Sequence, residues 1–222
     1  MAAFKYKLIE VKSGDRVLER EFLNLPKRLY KGNDNWVCPF DSSIQGVFDP
    51  KKNKLFEEGE AIRWVARNAE GECVGRIAAF YDKTHAYGYE QPTGGCGFFE
   101  AIDDQELANI LFDAARDWLK ERGMEAMDGP VNFGSRDAWW GLLVEGYEHQ
   151  PLFENPYHPP YYKELFEKII GECGLSNIKR GKDLLNLIIS HNTLQIRYKQ
   201  QIYLQFPTFF NLEQLPALLL QE

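Results

Sequence analysis

The sequence predicts an α/β fold with a mixed central sheet flanked by helices, on three observations. In the stretch 97–123 a compact apolar strand runs into an amphipathic helix, with Leu107, Ile110, Leu111, Ala114, Trp118 and Leu119 at three-and-four spacing. A second apolar segment, 126–133, follows at once, and a strand–helix–strand unit sets its two strands parallel. Two β-rich runs, 61–68 and 72–82, are separated only by a short turn containing Gly71, which predicts an antiparallel hairpin. Strands of both senses with helices between them give the mixed architecture.

The elements follow in chain order. Residues 4–11 alternate as a first strand. Leu18, Phe22, Leu25 and Leu29 keep helical spacing, and Pro26 predicts a division into two short helices, the second capped by Asn24. The stretch 31–60, with Gly32-Asn-Asp-Asn35, Asp49-Pro50 and lysines 51, 52 and 54, reads as irregular and solvent-exposed. After the hairpin, 82–95 is a polar connection. The long helix starts at a cap on Asp103, with Glu106 as its capping-box partner, and ends at Gly123 in the left-handed position. Residues 134–160 form a long loop rich in Gly, Pro and aromatics, either functional or packed over a core edge. Pro160 suits the start of a helix over 161–170.

From residue 171 the composition changes and no clean period persists, so the chain divides into a domain, 1–170, and an atypical C-terminal tail, 171–222. Two readings of the tail stay open: an ordinary helical or β appendage, or a segment foreign to the domain, such as a truncated or frame-shifted end.

A formal charge of -7 and a pI near 5.3 argue against a nucleic-acid or anionic-membrane surface. The first residues lack a signal-peptide pattern and no apolar run approaches the roughly 20 residues that span a bilayer, so a soluble cytoplasmic protein is expected. Cys38, Cys73, Cys96 and Cys173 show no Cys-x-x-Cys pair and read as reduced thiols, with Cys73 and Cys96 buried in strands. His85, His149 and His191 lack a ligand-spaced partner, and no metal is expected.

Several residues carry candidate chemistry. Glu100 is either a base of raised pKa beside the parallel strands or an outward-facing strand glutamate. Glu145, between Gly141 and Gly146, is a second candidate base or an exposed turn carboxylate. Tyr157, His158, Tyr161 and Tyr162 form either a substrate mouth, with His158 as proton shuttle and a tyrosine hydroxyl as donor, or aromatic loop packing. A parallel strand feeding a helix N-terminus is a common phosphate site, which brings in Ala101, Ile102, Asp103, Asp104 and Gln105, whereas Asn132, at the end of the second strand, is either a ligand contact or a plain turn asparagine.

The stretches Leu25-Pro26 with Leu29-Tyr30, Asn35-Trp36-Val37, Asp49-Pro50-Lys51-Lys52-Asn53, Gly75-Arg76-Ile77-Ala78-Ala79, Gly97-Phe-Phe-Glu100, Gly129-Pro130-Val131-Asn132, Gly141-Leu-Leu-Val-Glu-Gly146 and Pro156-Tyr157-His158-Pro159-Pro160-Tyr161-Tyr162 resemble the GCN5-related N-acetyltransferase (GNAT) superfamily. Within it they resemble a bacterial acetyltransferase-like group of unassigned substrate. The resemblance implies a GNAT-like mixed sheet, with the thiol arm of acetyl-CoA wedged between strands 97–102 and 126–133. It also implies direct acyl transfer from acyl-CoA to a small-molecule or peptide amine, with Glu100 or Glu145 as base and Tyr162 as a hydroxyl donor. The usual pyrophosphate loop, Arg/Gln-x-x-Gly-x-Gly/Ala, falls at Asp103-Asp104-Gln105-Glu106, where carboxylates stand instead. The tyrosine that commonly protonates the leaving thiolate falls at Phe166. Members of the group carry a second half, so the chain reads as truncated against them. A non-catalytic binding module that has lost coenzyme A binding is the alternative these departures allow.

Overall fold

The computed structural model describes residues 5–88, 91–134, 138–172 and 202–204. A five-stranded sheet in sequence order carries the fold: β1 (Tyr6–Glu10), β2 (Gly59–Asn68), β3 (Cys73–Asp82), β4 (Thr93–Ala101) and β5 (Ala126–Asp128). The first three junctions are antiparallel and the last, β4 with β5, is parallel. Gly71, at φ 82°, closes the expected β2–β3 hairpin. The mixed sense follows from the connections: a tight turn reverses the chain, whereas the crossover helix between β4 and β5 returns it in the same direction.

That crossover helix, α4 (Gln105–Lys120), buries Leu107, Ala108, Leu111, Phe112, Ala115, Trp118 and Leu119 on one face of the sheet. Its last turn runs out at Gly123, φ 78°, as expected. The cap lies one residue later than the sequence suggested. Asp104, not Asp103, accepts the Leu107 N–H at 3.0 Å, because its extended backbone aims the side chain at the free amides. The same core takes Tyr162, Leu165, Phe166 and Ile169 from the last helix, α5 (Tyr161–Glu172).

The opposite face is covered by α1 (Arg16–Leu29) and α2 (Asp41–Val47), with Phe22, Leu25, Ile44 and Phe48 against Val65 and Ala78. Two expectations are corrected here. Helix α1 passes through Pro26 without dividing, and Asn24 caps nothing, because Phe22, Leu23, Leu25 and Pro26 are all buried and their packing outweighs one missing backbone bond. The stretch 31–60 is not simply irregular: it contains α2 and a 3-10 turn at Lys54–Glu57, and its Ile44 and Phe48 belong to the core.

A short helix, α3 (Lys83–Ala86), sits in the β3–β4 connection. Strand β5 is shorter than the expected 126–133. It stops at the cis Gly129–Pro130 bond, and proline has no N–H to continue the ladder. Beyond the sheet, β6 (Leu142–Glu145) pairs antiparallel with β7 (Ile202–Leu204). Most of the C-terminal tail, including Cys173 and His191, lies outside the described residues. Among the described residues no helix is long and apolar enough to cross a membrane.

Candidate functional site

The site begins with an extra residue in β4. In the β3–β4 ladder Arg76 faces Glu100 and Ala78 faces Gly97, so Phe98 and Phe99 together oppose Ile77 alone. Phe98 takes up the surplus with φ at 53°. Side chains alternate with a period of two, and one inserted residue reverses every face beyond it. Cys96 points to the α4 side, and an unbroken strand would send Glu100 after it. The bulge instead gives Phe99 and Ala101 to the α4 core and turns Glu100 toward α1.

There Glu100 is buried, at 8% exposure, and surrounded. Its Oε2 accepts hydroxyl hydrogen bonds from Tyr30 at 2.9 Å and Tyr162 at 2.8 Å. Its Oε1 lies 3.5 Å from the Arg76 guanidinium. Burial pushes the Glu100 carboxyl above the usual glutamate value, against the opposing pull of Arg76 and the two hydroxyls. Burial beside that carboxyl also pushes both tyrosines well up, so they remain donors. Arg76 is itself anchored by a backbone defect. Pro26 has no N–H to give the carbonyl four residues back, which is Phe22, and that carbonyl accepts from Arg76 Nη1 instead. The Arg76 guanidinium also lies 4.7 Å from the Phe22 ring centre.

The parallel strands do separate. Pairing joins Thr93, Gly94 and Gly95 to Ala126, Met127 and Asp128, with a further Val131 N–H to Cys96 carbonyl bond at 2.9 Å. Gly97 still abuts the Val131 carbonyl, and beyond it β4 has no ladder pairing with residues 126–133. At Ala101 the lost partner is replaced by α5: Tyr162 Oη accepts the Ala101 N–H at 2.8 Å, and Tyr161 donates to its carbonyl at 2.8 Å. The sequence leaves these two tyrosines either at a substrate mouth or in aromatic packing; in the structure they hold the strand edge.

On the α1 side the gap opens into a cavity of about 280 Å³. Arg76, Glu100 and His158 supply buried polar groups, whereas Phe40 and Phe153, at 69% and 78% exposure, stand at its rim. Trp36, Phe98 and Trp139 line it between. His158 Nδ1 accepts the Leu143 N–H at 3.1 Å, which leaves the ring hydrogen on Nε2. Burial pushes this imidazole down to about 3, so it is a neutral donor and not the expected proton shuttle. Tyr157 lines the same wall and donates to the Tyr147 carbonyl at 2.8 Å.

The remaining candidates do not join the cluster. Glu145 is exposed at the end of β6 and does not line the cavity. Asn132 is buried beside a separate small cleft with Asp82 and His85. Ile102 N–H is already bonded to Val74 in β3, and Gln105 reaches Asn109 and the Leu165 carbonyl. Phe166 packs between Phe99 and Phe112, at ring separations of 5.2 and 4.9 Å. Among the described residues Cys73 and Cys96 are buried free thiols, as expected.

The N-terminus of α4 does not fit a pyrophosphate. Asp104 caps it, and Lys5 is engaged by Asp104 at 2.7 Å and by Glu106 at 3.0 Å. Burial pushes the Asp104 carboxyl up, but Lys5 and the Leu107 N–H outweigh it and hold the group below its usual value. Asp103 stands exposed beside them. An arriving anion would meet carboxylates where it needs free amides.

No protein-family profile matches the chain. It is 31% identical over 153 residues to protein YghO of Escherichia coli K12, covering 68% of this chain and 38% of that protein. It is 34% identical over 147 residues to the bacterial ceramide synthase of Caulobacter vibrioides, covering 64% of this chain and 37% of that one. The chain thus spans less than two fifths of the length of these curated relatives. Among solved structures it is similar to a tandem GNAT protein from the clavulanic acid biosynthesis pathway, with TM-score 0.49 and 11% identity over 74% of this chain and 43% of that one. An acetyltransferase of the GNAT family from Staphylococcus aureus gives TM-score 0.41 and 15% identity over 58% and 74% of the two chains. The sheet order and the parallel β4–β5 junction establish a mixed α/β sheet.

The fold is a mixed central sheet flanked by helices, as the sequence predicted. Two of the polar residues beside its parallel junction were missed from sequence. Tyr30 and Arg76 were noticed only as parts of matching stretches. Arg76 had a signal of its own, a cation inside the apolar run Cys73-Val-Gly-Arg-Ile-Ala-Ala-Phe80, and such a charge is buried only with partners.

Proposed function

We propose that the chain forms the acceptor-binding part of an N-acyltransferase, taking a primary amine with an apolar body and using Glu100 as the base. One observation carries this reading: a buried carboxylate of raised pKa lines an apolar cavity of about 280 Å³, on the part of β4 beyond its parallel pairing with β5. The amine nitrogen attacks the carbonyl carbon of an activated acyl group, its proton passes to Glu100, and the bond from the acyl carbon to the leaving group breaks. The neutral His158 offers an N–H in the same wall, of the kind that stabilises a developing oxyanion. The relative named as a ceramide synthase supports an acceptor of this class, since a ceramide is the amide of a long-chain amine. Coenzyme A is the acyl carrier that the GNAT resemblance implies, but the carboxylate-capped α4 terminus does not fit its pyrophosphate, so no donor contact is assigned there.

The test is binding. Dodecylamine, titrated by calorimetry, should bind wild-type protein, and Glu100→Gln should weaken it by about tenfold or more, as expected for loss of a charge-assisted bond. Equal binding to both proteins, or none at millimolar amine, would overturn the assignment. The second reading, a binding module without catalysis, is favoured by the tyrosine hydroxyls that already occupy the Ala101 edge. Acetyl-CoA separates the two: a rise in melting temperature at micromolar ligand supports the transferase, and no rise at millimolar ligand supports the module.

A further inference from the structure

Tyr30 has one hydroxyl hydrogen and two acceptors for it, Glu100 Oε2 at 2.9 Å and the Tyr157 carbonyl oxygen at 3.0 Å. Tyr162 is placed differently. Its oxygen accepts the Ala101 N–H at 2.8 Å, and its hydrogen has Glu100 at 2.8 Å against a 3.3 Å contact to the Ala101 carbonyl that Tyr161 already serves. A phenol hydrogen between a carboxylate and a peptide carbonyl goes to the carboxylate, because charge-assisted bonds are about twice as strong as neutral ones. Once the carboxyl is neutral, the peptide carbonyl is the better acceptor.

We propose that Tyr30 is a positioning residue for Glu100, giving its hydrogen to the charged carboxylate and passing it to the Tyr157 carbonyl when Glu100 takes up a proton. This rests on the reading of Glu100 as base. Both protonation states then keep their hydrogen bonds without any side chain moving, and the charge on Glu100 is felt by the cavity wall at Tyr157 and His158. The groups facing Glu100 are Arg76 from β3, Tyr30 from the end of α1, and Tyr161 and Tyr162 from α5, with His158 in the wall. Burial keeps the tyrosines protonated above neutrality and the imidazole neutral down to about 3, so a titration between those limits reports Glu100.

The experiment is a nuclear magnetic resonance titration without substrate. It follows the Glu100 carboxyl carbon, assigned by its loss in Glu100→Gln, and the His158 amide nitrogen, whose peptide group contains the Tyr157 carbonyl. In wild-type protein the two should titrate with one midpoint. In Tyr30→Phe the carboxyl should still titrate, with its midpoint raised by less than about one pH unit, while the His158 amide goes flat. Tyr162→Phe should raise the midpoint further and keep the coupling, and if that variant does not fold, Tyr30→Phe and Glu100→Gln decide alone. A His158 amide that ignores Glu100 in wild-type protein, or still follows it in Tyr30→Phe, overturns the proposal. Failure of dodecylamine to bind would remove the function and leave this coupling standing.

Discussion

Replacing Tyr162 with phenylalanine removes a single oxygen atom from a fully buried ring and leaves the ring's contacts with Phe99 and Tyr161 in place. No cavity larger than a hydroxyl opens, so the cost is that of two hydrogen bonds. The Ala101 N–H, bonded at 2.8 Å, is left buried without its acceptor, which costs about 1–3 kcal/mol. Glu100 loses one of two hydroxyl donors, and a bond to a charged group contributes about 1.5–3 kcal/mol. Partial relaxation brings the sum to about 3 kcal/mol at neutral pH. The pH dependence separates the parts. Glu100 has its folded pKa raised, so its contribution is full below the ordinary glutamate value and is lost as pH rises through the folded midpoint. The Glu100 share of the Tyr162→Phe deficit therefore needs the charged carboxylate and fades as pH falls through the raised midpoint, so that by about pH 4, below the ordinary glutamate value, only the Ala101 share remains. Urea unfolding at the two pH values, followed by tryptophan fluorescence, measures both. A loss under about 0.5 kcal/mol at pH 7, or a loss that does not shrink on acidification, would refute the hydrogen-bond account.

Three further outcomes are expected. His158, held down to about 3 by burial, contributes stability that is full above the ordinary histidine value and is lost as pH falls below it, so wild-type protein should lose up to about 1.4 kcal/mol per pH unit below about 6.5 from this group; His158→Asn should take up about one proton fewer on acid unfolding, measured by potentiometry. Gly97→Ala should destabilise by about 3 kcal/mol or more in urea, because a Cβ there runs into the backbone carbonyl oxygen of Val131, and a variant within about 1 kcal/mol of wild type would show that the segment at Val131 can simply move aside. Cys96, buried with its thiol pushed up to about 12, should react with iodoacetamide far more slowly than exposed Cys38, as peptide mapping would read, and comparable rates would mean that β4 opens in the native state.

The readable parts of the fold were those with a strong local period. Helix α4, the β2–β3 hairpin and the parallel return into β5 follow from apolar spacing, turn residues and the length of the crossover. Pro26 misled because the rule that proline breaks helices counts one backbone bond and not the burial of Pro26 together with Phe22, Leu23 and Leu25. The residues of 31–60 misled because their polar composition hid Ile44 and Phe48, whose place in the core depends on Phe22 lying opposite.

What the sequence by itself determined is the mixed sheet, its helical cover and the neighbourhood of the site, since periodicity and connection length act over a few residues at a time. The tertiary structure decided what each carboxylate became. One inserted residue at Phe98 turned Glu100 toward α1, and a carbonyl freed by Pro26 placed Arg76 beside it. Tyr30 and Tyr162, distant in the chain, brought their hydroxyls to one oxygen atom. A buried charge is settled only by the partners that surround it, and these come from three separate elements, α1, β3 and α5, that meet Glu100 only when the chain has folded.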